Sequence, residues 1–511
     1  MNDLASWIEK HASFTPQKTA ITFEGSAMSY AELSNRINTC EAILKHEHQI
    51  KEGDRVAFLG HNSPDFLILF FACARLRAIF LPLNWRLAAP EHRYILQDAN
   101  PRLCVCEAHF KEHAEGLREN LPDCQFLAAD FSADDWIDLA ASQTGLPKAP
   151  APAQGADDAP VLLVYTSGTT GHPKGAILTQ KAIQWNALNS LHMHDMTAKD
   201  TILTVLPMFH VGGLNIQTTP ALYCGATVEL HRKFNPSDTL KAIEDARPTL
   251  TVLVPATLQA LISHPDWSAA DLSSLKSVST GSSVVPTGLI QAFHDREVPV
   301  LQVYGSTETC PIAIYLKSED AISQVGSTGK PALHCEARVV DDHGMDIADN
   351  QSGEILIKGP NLMRGYWNNE TETKRSLREG WFYTGDLGYR DANGFFYIND
   401  RKKDVIISGG ENIYPAELEL VLNEISGLSQ ATVVGRNDER WGQVPVAVVS
   451  LLPGHTVTKT DILKHFDDRL ARFKHPKDVV ILDQLPSNAM GKVQKFAVRQ
   501  LLETTRDQSF V

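Results

Sequence analysis

Fifteen residues, Val161-Leu-Leu-Val-Tyr-Thr-Ser-Gly-Thr-Thr-Gly-His-Pro-Lys-Gly175, constrain this chain more than any other stretch. Val161 to Tyr165 is an apolar run of the length of a buried strand. The ten residues after it hold three glycines, four hydroxyl side chains and one lysine. Glycines let the backbone approach a ligand closely, and N–H groups in such a turn form a concave nest for anions. Ser and Thr hydroxyls add donors, Lys174 adds a point charge, and Pro173 stiffens the approach. The expected object is a strand feeding a triphosphate cradle, which requires an α/β sheet to present it. A Walker P-loop is rejected, because Lys174 runs into Gly175 and further apolar residues instead of Ser/Thr at a helix start. A plain Ser/Gly surface turn is the bland alternative.

At 511 residues the chain is too long for one ordinary core, so two or more domains are expected. A formal charge of −14 argues against a nucleic-acid partner. No apolar run is long enough to span a membrane, and Met1 to Lys10 has neither the basic start nor the apolar centre of a signal peptide. That segment reads as an amphipathic helix. The eight cysteines are scattered without zinc spacing, so reduced thiols in a cytoplasmic enzyme are expected. His46-Glu-His48 and His192-Met-His194 read as solvated surface rather than metal sites.

Helix and strand patterns then alternate. Tyr30–Lys45 and Asp65–Arg77 are helical; Arg55–Leu59, Ala78–Leu83, Thr249–Val254 and Val298–Val303 are strands. This predicts layered, mostly parallel sheets in a large N-terminal domain, 1–400. Lys148–Pro160 reads as a Pro/Ala-rich connector. Polar loops at 166, 281 and 305 each follow an apolar strand and are placed to converge beyond carboxyl ends of strands. From about 330 to 400 short strands punctuated by Gly, Asp and Asn predict a small distorted β-barrel. A small α+β domain, 401–511, follows, with strands at 404–408, 430–434 and 444–449, and a helix at 415–424.

Five motifs in order then resemble the acyl-adenylate-forming superfamily of acyl-CoA synthetases and aryl-CoA ligases. They are Thr166–Gly175, Tyr304-Gly-Ser-Thr-Glu308, Trp381-Phe-Tyr-Thr-Gly-Asp386, Asp400-Arg-Lys-Lys-Asp404 with Ser408-Gly-Gly-Glu-Asn-Ile-Tyr-Pro415, and Leu485-Pro-Ser-Asn-Ala-Met-Gly-Lys492. The resemblance covers nearly the whole chain. It implies an ATP-dependent ligase that joins a carboxylate to the α-phosphate and then passes the acyl group to coenzyme A. An acyl-AMP ligase serving a carrier protein, or a non-catalytic nucleotide-binding relative, would share much of this pattern.

The resemblance also assigns roles. Thr166, Ser167, Gly168, Thr169, Thr170, Gly171 and Lys174 would hold the β- and γ-phosphates. Glu308 would bind Mg²⁺, and Thr307 would meet the α-phosphate. Gly281, Ser282, Ser283, Tyr304 and Gly305 would line the adenine slot; Asp386 and Arg401 would take the ribose. Lys492 would be the catalytic lysine of the C-terminal domain, with the hinge at Lys403. For coenzyme A it implies His210 as the gate, Ser408, Gly409 and Gly410 as a tunnel face, and Arg86, Trp441, Phe473, Lys474 and Lys477 around the nucleotide.

The acyl pocket would comprise His210, Val211, Gly212, Gly213, Leu214, Ser282, Ser283, Thr309, Cys310 and Pro311. It has no arginine for a second carboxylate and no aspartate for an ammonium group. The substrate expected is a neutral fatty or aryl monocarboxylic acid; the family leaves room for a homodimer. Two positions depart from its pattern: Arg77 stands where glycine is usual, and Met490 where threonine is.

Overall fold

The computed structural model describes residues 3–119, 121–133, 136–138, 157–166, 173–282, 285–408, 411–438, 440–467, 469–488 and 491–507. The Lys148–Pro160 connector lies outside these residues up to 156.

Two large sheets form the bulk of the chain. One has nine strands, in the spatial order Lys330–Pro331, Ile314–Tyr315, Val300–Tyr304, Ser277–Thr280, Leu250–Leu253, Thr201–Thr204, Thr227–Leu230, Thr19–Phe23 and Ser26–Ser29. Its centre is parallel and its edges antiparallel. The other has eight strands, with Pro160–Thr166 between Ile79–Pro82 and Lys174–Thr179. The strands expected in these two sheets occur within two residues of their predicted ends, and Arg55–Leu59 matches fully, whereas the strand expected at 430–434 runs from Leu428 to Asp438.

The helix Pro64–Leu76 explains why the two sheets stay together. Ser63 caps it, accepting from the Phe66 N–H, and Pro64 occupies its first turn, where no N–H is needed. Every residue from Phe66 to Arg75 is buried, as suits a helix that is apolar all round and shares one core with strands of both sheets. Arg77 ends this helix at φ +55, the left-handed region that glycine enters without cost. That is the physical reason for the usual glycine there.

The 330–400 region is a five-stranded antiparallel sheet, Glu336–Val340, Gly353–Lys358, Trp381–Arg390, Leu377–Arg378 and Phe396–Arg401. It departs from the all-β expectation at the helix Glu370–Ser376, which Asn369 caps. The C-terminal part has its own five-stranded sheet and its own core around Ile413, Leu418, Val433, Ala447 and Phe466.

The two histidine clusters are not solvated surface. His48 is buried with Nδ1 2.9 Å from Gln125 Oε1, and His194 is buried between Ser190 and Ser279. Gln125 and Ser279 come from distant elements and, with Ser190 one turn back in the helix of His194, partner His48 Nδ1 and both His194 ring nitrogens in the core. Among the described residues no cluster of three or more His, Cys, Asp or Glu could hold a metal, and no helix is long and apolar enough to cross a membrane.

One buried ionic cluster anchors the N-terminal helix. Arg75 contacts Asp3 at 3.1 Å, Glu9 at 2.9 Å and Glu41 at 3.9 Å, and the side chains of Arg75, Asp3 and Glu41 are at most 4% exposed. Removing the cation strands buried carboxylates. Arg75→Met should therefore destabilise the protein by about 3–5 kcal/mol, read as a fall in the denaturant midpoint. A loss below about 1 kcal/mol would show the cluster to be dispensable.

Candidate active site

The hairpin Pro160–Thr166 and Lys174–Thr179 pairs Thr166 opposite Lys174, so both ends of the glycine-rich loop are anchored in the sheet. Ser167, Gly168, Thr169, Thr170 and Gly171 lie outside the described residues. Lys174 makes an ion pair with Glu372 at 2.8 Å, and its ammonium stands 5.6 Å from the Tyr366 ring centroid. Tyr366 in turn donates to Glu308 at 2.8 Å.

The segment 363–367 ties the two sheets at this point. Met363 N–H donates to Glu308 O, Arg364 N–H to Ile177 O and Trp367 N–H to Gly175 O. The loops expected to converge at 166 and 305 are thus stitched together by a third segment. Gly305 is required by close packing: a Cβ there would lie 1.7 Å from Pro311 O. At Gly281 it would lie 2.4 Å from Val303 O, so the 281 and 305 loops are also in contact.

Tyr304, Asp386 and Arg401 form a second cluster. Tyr304 donates to Asp386 Oδ2 at 2.8 Å, and Arg401 Nε is 3.3 Å from Asp386 Oδ1. The pairing is built by register, since Asp386 and Arg401 are direct cross-strand partners. Asp386 raises the Arg401 pKa further, and burial drives the Tyr304 phenol well above its ordinary range.

Lys492 reaches this cluster from the C-terminal part. Its Nζ donates to Ser282 O at 3.2 Å, and Gly491 packs against Ala256, where a Cβ would come within 3.1 Å. The turn that presents it is closed by Gly491 N–H to Asn488 O and by Asn488 N–H to Lys492 O, with Gly491 at φ +74. Burial, and then the Arg401 charge, lowers the Lys492 pKa to about 8. Ser283 and Met490 lie outside the described residues.

The helix Lys495–Asp507 carries two cations one turn apart. Lys495 meets Glu419 at 3.0 Å and Asp400 at 3.9 Å, and Arg499 meets Asp404 at 2.7 Å. Asp400 and Asp404 flank Lys403, whose pKa is lowered by burial.

His210 opens the segment expected to line the acyl pocket. Its Nδ1 accepts from the Gly212 N–H at 3.0 Å, which leaves the proton on Nε2. Burial lowers its pKa to about 4, so the ring is neutral. Val211, Gly212, Gly213 and Leu214 are buried, as are Thr309 and Cys310. Trp85 meets Phe209 edge-on at 6.2 Å and carries Arg86 on its face at 4.7 Å, so Arg86 stands beside this segment.

The remaining residues expected to meet coenzyme A are dispersed. Trp441 and Phe473 are exposed, and the pairing of Ser408 with Gly442 brings the tunnel strand beside Trp441. Lys474 is already paired with Glu417 at 2.7 Å; Lys477 is exposed. Gly409 and Gly410 lie outside the described residues.

The AMP-binding enzyme profile matches residues 8–367, and the profile of its C-terminal domain matches 417–492. The chain belongs to the AMP-binding enzyme family. It is 49% identical to the indoleacetate–CoA ligase of Aromatoleum aromaticum over 98% of both chains. It is 39% identical to a feruloyl-CoA synthase of an Amycolatopsis species, over 97% of this chain and 98% of that one. The o-succinylbenzoate-CoA synthetase of Bacillus subtilis, solved with its acyl-adenylate, superposes with a TM-score of 0.88 at 32% identity over 98% of both chains. Like these CoA ligases, this AMP-binding enzyme is an AMP-forming acid–thiol ligase that uses ATP, Mg²⁺ and coenzyme A.

The residues fit Mg²⁺. Glu308 offers one buried carboxylate, and this ion commonly takes one or two carboxylates together with substrate phosphates.

Sequence reasoning missed Glu372, Tyr366, Lys495 and Arg499. Glu372 and Tyr366 carry no motif of their own, and only their contacts with Lys174 and Glu308 single them out. The i, i+4 spacing of Lys495 and Arg499 was a usable signal for two cations on one helical face.

Because the Lys492 pKa is about 8, the protonated lysine is present below that pH and lost above it. In the half-reaction with ATP, kcat/KM should fall above about pH 8 in free enzyme, and Lys492→Arg should move that limb upward. A limb unmoved by the substitution would assign the titration elsewhere.

Proposed function

We propose that this ligase activates a neutral aryl monocarboxylic acid on a short arm, using the residues described above. The single observation that carries the reading is the Lys492 ammonium at Ser282 O, beside the Tyr304–Asp386–Arg401 cluster.

ATP and the acid are both anions, so the first barrier is their mutual repulsion. Lys492 sets one positive charge where the acid carboxylate meets the α-phosphate. A carboxylate oxygen then forms a bond to the α-phosphorus while the bond to pyrophosphate breaks. Mg²⁺ on Glu308 neutralises charge on the phosphate oxygens when bound. Thr307 donates to the α-phosphate, the 166–174 loop and Lys174 hold the leaving pyrophosphate, and Asp386 accepts from the ribose hydroxyls. Lys174 must then exchange Glu372 for phosphate oxygens.

The second step takes place at the acyl carbon: the thiol sulfur of coenzyme A forms a bond to it while the bond from that carbon to the AMP oxygen breaks, AMP leaving and the thiol proton passing to solvent. A thiol cannot approach while Lys492 fills the site, so rotation about Lys403 withdraws it and brings Ser408 and Trp441 inward. His210, neutral with its proton on Nε2, stands as the gate the thioester arm passes.

Aryl over fatty acid is supported by the 49% identical relative, which is an indoleacetate–CoA ligase, and by the 39% identical feruloyl-CoA synthase. The uncharged pocket supports a single carboxylate. The domains divide at 400/401 in this reading, and the eight free thiols suit a reducing, cytoplasmic compartment.

A panel of aryl and fatty acids scored by pyrophosphate release, with and without coenzyme A, tests the substrate class; fatty acids turning over faster than all aryl acids would refute it. Lys492→Ala should cut adenylate formation at least ~100-fold while leaving thioester formation from supplied acyl-adenylate within a few-fold. Equal loss of both steps in a folded variant would remove Lys492 from the first. Asp386→Ala should weaken ATP binding at least ~10-fold, and unchanged affinity would refute its ribose role.

A further inference from the structure

A polar atom stands unpartnered beneath the acyl segment. Leu214–Thr218 is a π-helical turn, a rare backbone form that concentrates at functional sites. It carries Gln217, which is 2% exposed and whose Oε1 has no hydrogen-bond partner. Gln217 lines a small cavity with Thr204, Leu206, Gly213, Thr218 and Val252. Gly213 belongs to the expected acyl pocket, so this cavity shares a wall residue with it.

The surrounding network fixes which way the amide faces. His194 Nδ1 is 2.8 Å from Ser190 O, a pure acceptor, so Nδ1 carries the proton and Nε2 is bare. Ser279 Oγ, 2.7 Å from Nε2, must therefore donate to His194. It can then only accept from Gln217, whose Nε2 lies 3.4 Å away. Burial lowers the His194 pKa to about 4, which keeps this order of donors at neutral pH. The Gln217 oxygen is left free.

No wall hydroxyl turns toward it. Thr218 Oγ1 donates to Gly213 O at 2.7 Å, and Thr204 Oγ1 lies 2.8 Å from Thr218 Oγ1 and gives its proton there. What remains is a buried acceptor with no donor, a costly arrangement unless a ligand supplies one.

We infer that Gln217 Oε1 is a specificity determinant that accepts a hydrogen bond from an N–H or O–H at the far end of the acid's ring. The inference rests on the aryl-acid reading above and narrows it: carboxylate at Lys492, ring past Gly213, donor at Gln217. Sites built to pair a substrate N–H or O–H reject the analogue lacking it far more strongly than apolar pockets reject a missing methylene.

The test compares indole-3-acetate with 1-benzothiophene-3-acetate, which keeps the ring shape and lacks the N–H. Pyrophosphate release gives kcat/KM for each, in wild type, Gln217→Leu and Gln217→Met, with melting curves to confirm folding. Wild type should favour the N–H acid by about 10- to 100-fold, and that ratio should collapse toward one in either folded variant. Equal rates in wild type, as when water rather than the ring occupies the acceptor, would overturn the inference while leaving the aryl reading intact. A ratio that persists in both variants would also overturn it. Turnover of neither acid would also overturn the inference, while the aryl reading is decided by the wider acid panel.

Discussion

A single ammonium group, that of Lys492, is held where the protein itself disfavours its charge. It is desolvated and faces the charges of Arg401 and Lys495, which Asp386 and Asp404 offset only in part. In the proposed mechanism an arriving triphosphate would reverse that balance, because the anion would repay what burial takes away. The rest of the architecture can be understood as delivery to this point. Two sheets sharing one core supply strand ends, the 363–367 segment stitches their loops together, and a separate small sheet brings the cation in on a tight turn. In the proposed mechanism the same charge would obstruct the second half of the chemistry, which gives a reason for its standing on the C-terminal part and not on the large sheets.

Much of this was legible in the residues alone. Apolar runs of four to six residues gave the strands, because a strand buried on both faces leaves no polar alternation to misread. The helix Pro64–Leu76 was legible from its strongly apolar run, read one residue late at each end as Asp65–Arg77. Loops carrying chemistry announced themselves by glycine and hydroxyl content immediately after those strands. Arg401 and Asp386 were each visible in a motif, whereas their direct pairing came only from strand register.

What escaped was decided by contacts between residues far apart in sequence. His194 looks like a surface residue until Ser279, 85 residues on, is seen against it. Lys174 looks like a free cation until Glu372 is found 2.8 Å away. Gln217 sits among other neutral polar residues, Asn215, Thr218 and Thr219, with nothing local to mark it, and its significance depends on a donor order running through two other side chains. Pattern and spacing report on neighbours in the chain; these arrangements are properties of packing.

The two aspartates around Lys403 differ in what holds them. Asp404 meets Arg499, and both lie beyond the pivot proposed at Lys403, so their bond would travel with that part of the chain. Asp400 precedes the pivot yet takes the Ala416 N–H at 2.8 Å and faces Lys495, both beyond it. A turn about Lys403 as proposed would therefore break the Asp400 contacts and spare the Asp404 one. The first aspartate would then work as a detent and the second as a rivet, so that the lobe would rest in one notch and move by clicking rather than drifting.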